Sequence, residues 1–156
     1  LDSLLRRGRR VELTVVGCTP PRGTRHPAMR VIPFLNKAVP SERAMLASLW
    51  NDAHCLVLPT RQEAAGLVFC EAAAHGLPRI STKTGGVPTY VEDGVSGTLL
   101  APDANAEQWA DAIEATLGDP ARYQAQSAAA RVAFDTRLNW DAWGQRLHTL
   151  LSSAGI

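Results

Sequence analysis

Cysteine is scarce in this chain of 156 residues: there are three, Cys18, Cys55 and Cys70, and no C-x-x-C spacing. An odd number without that spacing argues against a disulfide framework and against a structural zinc site. Reduced, mostly buried thiols in a cytosolic protein are the expectation. An excess of charge is also lacking: 16 Lys and Arg face 15 Asp and Glu, for a net charge of +1. That balance is not that of a nucleic-acid binder. No apolar run approaches the roughly 18 to 20 residues that a membrane-spanning helix needs. Nor does an apolar stretch follow the charges of Leu1 to Arg10, as a signal peptide requires. With 46% hydrophobic and 20% charged residues the chain is no disordered segment. Its length suits one domain, residues 1–156, with a real core. It opens on Leu1 rather than Met, which reads as an excised piece of a longer protein.

What is present is an alternation of two periodicities. Residues 11 to 16 (VELTVV) end at Gly17 and read as a strand. A loop broken by Pro20, Pro21, Gly23 and Pro27 leads to a second strand at 30 to 34 (RVIPF), weakened by Pro33. Pro40-Ser41 opens a helix with Met45, Leu46, Leu49 and Trp50 on one stripe. His54 to Leu58 is a nearly continuous apolar run, as in a strand covered on both faces. A helix from about Gly66 to His75 follows, stopped by Gly76 and Pro78. Arg79 to Thr82 and Gly97 to Leu100 are further strands, with a loop and one helical turn at 85 to 88 between them. The last third is helical, with Asp103, Asp119-Pro120 and Asn139 as starts. Trp140, Trp143, Leu147 and Leu150 share one face of the final helix and are expected to pack against the sheet. This order predicts an α/β, Rossmann-like three-layer domain with a parallel sheet of about five to six strands. Ligands of such sheets bind beyond the carboxyl ends of the strands: here Gly17, Phe34-Leu35, Pro59-Thr60 and Thr82-Lys83.

The most informative stretch is Pro59 to Gly76, PTRQEAAGLVFCEAAAHG. A buried strand ends, a short loop carries Glu63, and a helix opens at Gly66 with Glu71 in its second turn. Gly66 clears space for a ligand near the backbone. The N–H groups of Leu67 and Val68 would be free at the helix start, where an anion such as phosphate is favoured. Glu71, about one turn (~6 Å) along, suits a vicinal diol such as a ribose, because a carboxylate accepts two hydrogen bonds. A nucleoside diphosphate asks for that pair of features. The pattern is equally that of an ordinary strand–glycine–helix junction, with Glu71 on the surface and Glu63 favouring the helix dipole.

More residues extend the pattern. Seven residues separate Glu63 from Glu71, among them Ala64-Ala65-Gly66-Leu67-Val68. Then come Ala72-Ala73-Ala74-His75-Gly76-Leu77-Pro78, Thr84-Gly85-Gly86-Val87-Pro88 and Val91-Glu92-Asp93-Gly94-Val95-Ser96-Gly97. In this order they resemble the C-terminal, donor-binding domain of retaining GT-B glycosyltransferases, the family 4 group. That family shows E-G-F-G-L, a second Glu with E-A-M-A-x-G-x-P, T-x-x-G-G-x-x-E, and E-D-G-x-x-G-x-L. The resemblance runs from about Val11 to the last helix.

The resemblance implies a fold, the C-terminal half of GT-B, and a set of roles. Glu63 is the catalytic residue and contacts donor-sugar hydroxyls. Ala65, Gly66, Leu67 and Val68 meet sugar and diphosphate, and Glu71 holds the ribose. Phe34, Leu35, Thr60, Gly85 and Gly86 form the base pocket or its rim, with Lys83 beside them. The substrate is a UDP- or GDP-linked hexose-type sugar, transferred with retention to an acceptor hydroxyl, with no cofactor and no metal required. Polysaccharide or glycolipid biosynthesis is the setting, in the cytoplasm, with a full-length enzyme that can be peripheral at the membrane. The missing N-terminal acceptor-binding domain is the implied partner; nucleic acid is not. The chain alone is expected to be inactive. The departures are Ala64-Ala65 for Gly-Phe, Arg79 for a small apolar residue, and Thr89-Tyr90 where a Glu is usual. Upstream basic residues that neutralise the diphosphate have no counterpart. Arg79, a charge in an apolar context, suggests a strand near the sheet edge.

Other constellations are weaker. Arg6, Arg7, Arg9 and Arg10 read as the solvated end of a helix rather than a phosphate patch. Arg22, Arg25 and His26 are a solvated loop or a phosphate contact. His54, Cys55, Cys70 and His75 do not make a persuasive metal set. Two competitors to the transferase reading remain: a nucleotide-sugar epimerase or sugar phosphorylase of the same fold, and a non-catalytic α/β interaction module with a degenerate pocket.

Overall fold

The computed structural model describes residues 1–155. The chain divides into two compact units, Leu1–Asp52 and Ala53–Ile156. The first holds α1 (Asp2–Arg6), β1 (Leu13–Val16), β2 (Met29–Ile32) and α2 (Pro40–Asp52). The basic cluster sits at the exposed end of α1, as expected. β1 pairs in parallel with β2, from Leu13 opposite Met29 to Val16 opposite Ile32. Both strands are shorter than their apolar runs. Pro33 falls outside β2, consistent with its missing donor. Between them His26 is fixed at both nitrogens: Ala28 N–H donates to Nδ1 at 3.0 Å, and Nε2 lies 3.0 Å from Asp2 Oδ1. Arg22 and Arg25 on the same loop are exposed.

The second unit holds β3 (Leu56–Leu58), α3 (Leu67–Ala74), β4 (Arg79–Thr82), α4 (Val87–Tyr90), β5 (Gly97–Leu100), α5 (Ala106–Leu117), α6 (Pro120–Thr136) and α7 (Trp140–Ser153). Its sheet is parallel in the order β3-β4-β5. The expected strands are therefore present and parallel, but divided into a sheet of two and a sheet of three rather than one sheet of five or six. Phe69, Val87 and Val91 are fully buried, with Leu56, Leu58, Val68, Tyr90 and Leu99 packed against them. α3 lies against α6, where Arg131 Nη1 donates to Ala74 O at 2.6 Å and caps the end of α3. Asp119 and Asn139 cap α6 and α7 as read from sequence, but α5 is capped by Asn105, not Asp103. Asn105 and Gln108 form a reciprocal capping box, which satisfies more amides than Asp103 could reach.

Three further expectations fail. β4 is the central strand, not an edge, and Arg79 is 0% exposed. Its charge is accommodated by acceptors distant in sequence: Nη2 donates to Ser96 Oγ at 2.7 Å and to Tyr90 O at 3.2 Å. The face of α7 does not pack away: Trp140 is 72% and Trp143 57% exposed, and no residue of α7 is buried. Helical periodicity marks a face that needs a cover; it does not supply one. The cysteines are not mostly buried, since Cys18 is exposed and Cys55 and Cys70 are half-buried.

Gly97 and Gly144 give opposite expectations for the same substitution. A Cβ on Gly97 would overlap Arg79 O and stand 2.8 Å from Val91 Cγ1, whereas one on Gly144, inside α7, meets nothing. Gly97→Ala should cost about 1 to 3 kcal/mol by overpacking, and Gly144→Ala should gain up to about 1 kcal/mol from helix propensity. Urea unfolding midpoints of the two variants check this, with a fall for the first and a rise for the second.

Candidate functional site

The carboxyl ends of β3 and β4 are joined by a set of close backbone contacts. Ser81 Oγ donates to Leu58 O at 2.7 Å, Thr82 Oγ1 donates to Thr60 O, and Thr84 Oγ1 donates to Arg61 O at 3.2 Å. Thr60 Oγ1 in turn donates to Gln62 O at 2.8 Å. Gly86 N–H donates to Glu63 O at 2.8 Å. The hydroxyls thus follow the 60–62 loop carbonyl by carbonyl, and the amide of Gly86, the second of the glycine pair, takes the next one. Both glycines are required by contact. A Cβ on Gly85 would overlap Glu63 O, and one on Gly86 would overlap Ala64 O. Gly85 also has a φ of +49°, which a side chain disfavours. So Gly85 and Gly86 do more than border a pocket: they fix the backbone that presents Glu63.

Gly66 has its own reason. A Cβ there would stand 2.5 Å from Phe69 Cδ2 and 3.3 Å from Glu63 Cγ. The space is already used by the Phe69 ring, which stacks on Tyr90 at 6.2 Å between centroids. Gly66 is the residue before α3 and offers no side-chain cap. Of the two amides expected to be open, Leu67 N–H is taken by Ala65 O at 2.9 Å, a tight turn that the sequence does not reveal. Val68 N–H has no partner among the described residues, and it stands at the positive end of the helix. Leu67 is 55% exposed, Ala64 and Ala65 are exposed, and Glu63 and Glu71 are half-buried.

The sequence-derived set therefore separates in two. Thr60, Glu63, Ala65, Gly66, Leu67, Val68, Gly85 and Gly86 are one local assembly on β3, β4 and the start of α3, with Glu71 a turn further along that helix. Phe34 and Leu35 belong to the first unit, directly after β2, and Phe34 is 72% exposed. Sequence reading placed Thr82 at a strand end and Thr84 in a motif but gave neither of them, nor Phe69, the part they play here, which is to hold the assembly. No group of three or more metal-ligating side chains converges among the described residues. The Cys55 thiol is pushed up to about 11 by burial. Burial also raises that of Cys70, opposed by Arg79 and Arg137 and reinforced by Glu71.

The family model described as Glycosyl transferases group 1 matches residues 1–119. The chain belongs to this glycosyltransferase family. Its fold is that of GT-B enzymes. A curated relative, the D-inositol 3-phosphate glycosyltransferase of Mycobacterium avium (strain 104), is 38% identical over 102 residues, which are 65% of this chain and 24% of that protein. The chain thus spans about a quarter of the length of the curated relatives it matches. Among solved structures, sucrose-phosphate synthase from Thermosynechococcus elongatus is similar with a TM-score of 0.70 and 26% identity, covering 91% of this chain and 39% of that one. Anabaena Alr3699/HepE, solved in complex with UDP, shares the fold with a TM-score of 0.67 at 24% identity, over 81% of this chain and 32% of that one. No described helix of this glycosyltransferase chain is long and apolar enough to cross a membrane.

The backbone clamp yields its own test. Gly85→Ala should cost about 1 to 3 kcal/mol, because the carbonyl it meets belongs to a backbone that cannot turn away. Hydrogen exchange of the amides at 61 to 65 should speed up more than exchange in β4. Equal acceleration in both would mean that the glycine pair does not hold the loop.

Proposed function

We propose that this chain is the donor-binding part of a retaining glycosyltransferase that moves a hexose-type sugar from a UDP- or GDP-linked donor to an acceptor hydroxyl. The observation that carries the reading is the Glu63 loop. It stands at the carboxyl ends of two parallel strands, held rigid by Gly85 and Gly86. A helix whose start has no side-chain cap runs on to a second carboxylate, Glu71. In this reading Glu63 accepts hydrogen bonds from sugar hydroxyls and sits beside the reacting carbon. Val68 N–H and the start of α3 favour the leaving diphosphate. Glu71 accepts from the ribose diol. Catalysis is then a matter of position and charge: the donor is held while its sugar gains oxocarbenium character and the departing diphosphate is stabilised. The positive end of α3 carries diphosphate charge in place of a metal ion. Residues 1–156 then act as one donor domain, completed by an acceptor-binding domain that precedes it, in a cytoplasmic enzyme of polysaccharide or glycolipid synthesis.

A second reading, a non-catalytic module, draws on one observation: Leu67 N–H is already occupied by Ala65 O, so the anion site has one amide fewer than the family pattern suggests. Titration calorimetry distinguishes the two. UDP and GDP, with and without attached sugars, should include at least one saturable ligand, bound equally well in EDTA. Glu71→Ala should weaken it about tenfold or more, since hydrogen bonds to a charged acceptor contribute about 1.5 to 3 kcal/mol each. Absence of binding at millimolar concentration supports the non-catalytic module, and binding indifferent to Glu71→Ala removes the ribose assignment.

A further inference from the structure

We propose that Arg79 and Arg137 are positioning residues for Glu63, acting through α4; the inference rests on the donor-site reading above. The four residues of α4 are held at both ends. At its start, Gly86 N–H donates to Glu63 O. At its end, two guanidinium groups take consecutive carbonyls: Arg137 Nη1 donates to Thr89 O at 2.5 Å, and Arg79 Nη2 donates to Tyr90 O at 3.2 Å. Cations at a helix carboxyl end complement the open carbonyls there.

Arg79 is an expensive way to do this. It is fully buried on the central strand, where an apolar side chain would pack without penalty. Its Nε and Nη1 have no hydrogen-bond partner among the described residues. A buried cation so incompletely satisfied contributes little net stability. All its acceptors lie in one place, however. Besides Tyr90 O it donates to Ser96 Oγ, and that hydroxyl accepts from Glu92 N–H at 3.1 Å. One guanidinium therefore ties the end of α4 to the turn that leads into β5. Arg137, just past the end of α6, takes the neighbouring carbonyl of Thr89, and burial together with this second cation lowers the Arg79 pKa to about 10.

Displacement of α4 would reach Glu63 by two routes. One is the backbone bond from Gly86. The other is the ring stack: Tyr90 lies on Phe69, the Phe69 ring fills the space over Gly66, and Glu63 Cγ closes the other side of that space. A shift at the far end of α4 would therefore bear on the loop that carries Glu63, the carboxylate proposed to meet the donor sugar.

The test separates sugar recognition from nucleotide recognition. Calorimetry compares UDP with UDP-glucose, and GDP with GDP-mannose, on the wild-type chain, Arg137→Ala, Arg137→Lys, Arg79→Met and Glu63→Ala. Arg137 is exposed, so its variants should fold even if Arg79→Met does not. Arg137→Ala should leave nucleotide affinity within about twofold but lower the additional affinity due to the sugar about fivefold, and Arg137→Lys should restore part of it. In the double variant Glu63→Ala/Arg137→Ala the loss should equal that of Glu63→Ala alone, because the arginine acts only through Glu63. Equal losses for nucleotide and nucleotide sugar, an unchanged sugar increment in folded Arg137→Ala, or additive losses in the double variant would each overturn the inference. Binding of nucleotide with Glu71 dependence but without any effect of Arg137 leaves the donor reading standing and removes this one; no nucleotide binding at all removes both.

Discussion

The approach of two backbones decides most of the second unit. Glu63 O and Ala64 O lie so close to Gly85 and Gly86 that neither glycine could carry a side chain. Everything around this contact accommodates it. The hydroxyls of Ser81, Thr82 and Thr84 bond the preceding carbonyls, so the loop after β3 follows the end of β4 residue by residue. The buried cluster of Phe69, Val87 and Val91 then fixes α3 and α4 on the same strands. An acidic loop is mobile by default. Here the carbonyls of Thr60, Arg61, Gln62 and Glu63 are all paired, so the backbone that presents Glu63 is held.

This arrangement explains why the motif glycines are spaced as they are. Gly66 makes way for the Phe69 ring, Gly85 and Gly86 for two carbonyls, and Gly97 for Arg79 O. Each avoids a contact with a neighbour rather than opening the backbone to a ligand. A ligand-based explanation of Gly66 is therefore unnecessary for its presence, although the uncapped helix start it leaves suits an anion.

Much of the fold was legible because its determinants are local. Asp119 and Asn139 cap helices through amides two to three residues away, and the Arg79–Thr82 and Gly97–Leu100 strands have the bounds read from sequence. Glu63, Gly66 and Glu71 were legible for the same reason: their spacing sets their places on one loop and one helix. Arg79 was not. A charge in an apolar run reads as exposure, and its acceptors lie 11 and 17 residues along the chain. The Leu67 amide was lost to a turn that depends on Ala65's backbone alone. The strands were countable, but their division into two sheets depends on pairing between distant segments, which periodicity does not encode.

The unequal burial of the three thiols has a practical side. Cys55 and Cys70 are half-buried and resist ionisation, whereas Cys18 stands exposed in the loop after β1. Cys18 is the accessible thiol, so an alkylating dye would enter there first. That places a reporter in the unit Leu1–Asp52 while the Glu63 loop lies in the other. The protein as it stands, with no cysteine removed, thus offers a way to watch one unit while ligands are added to the other.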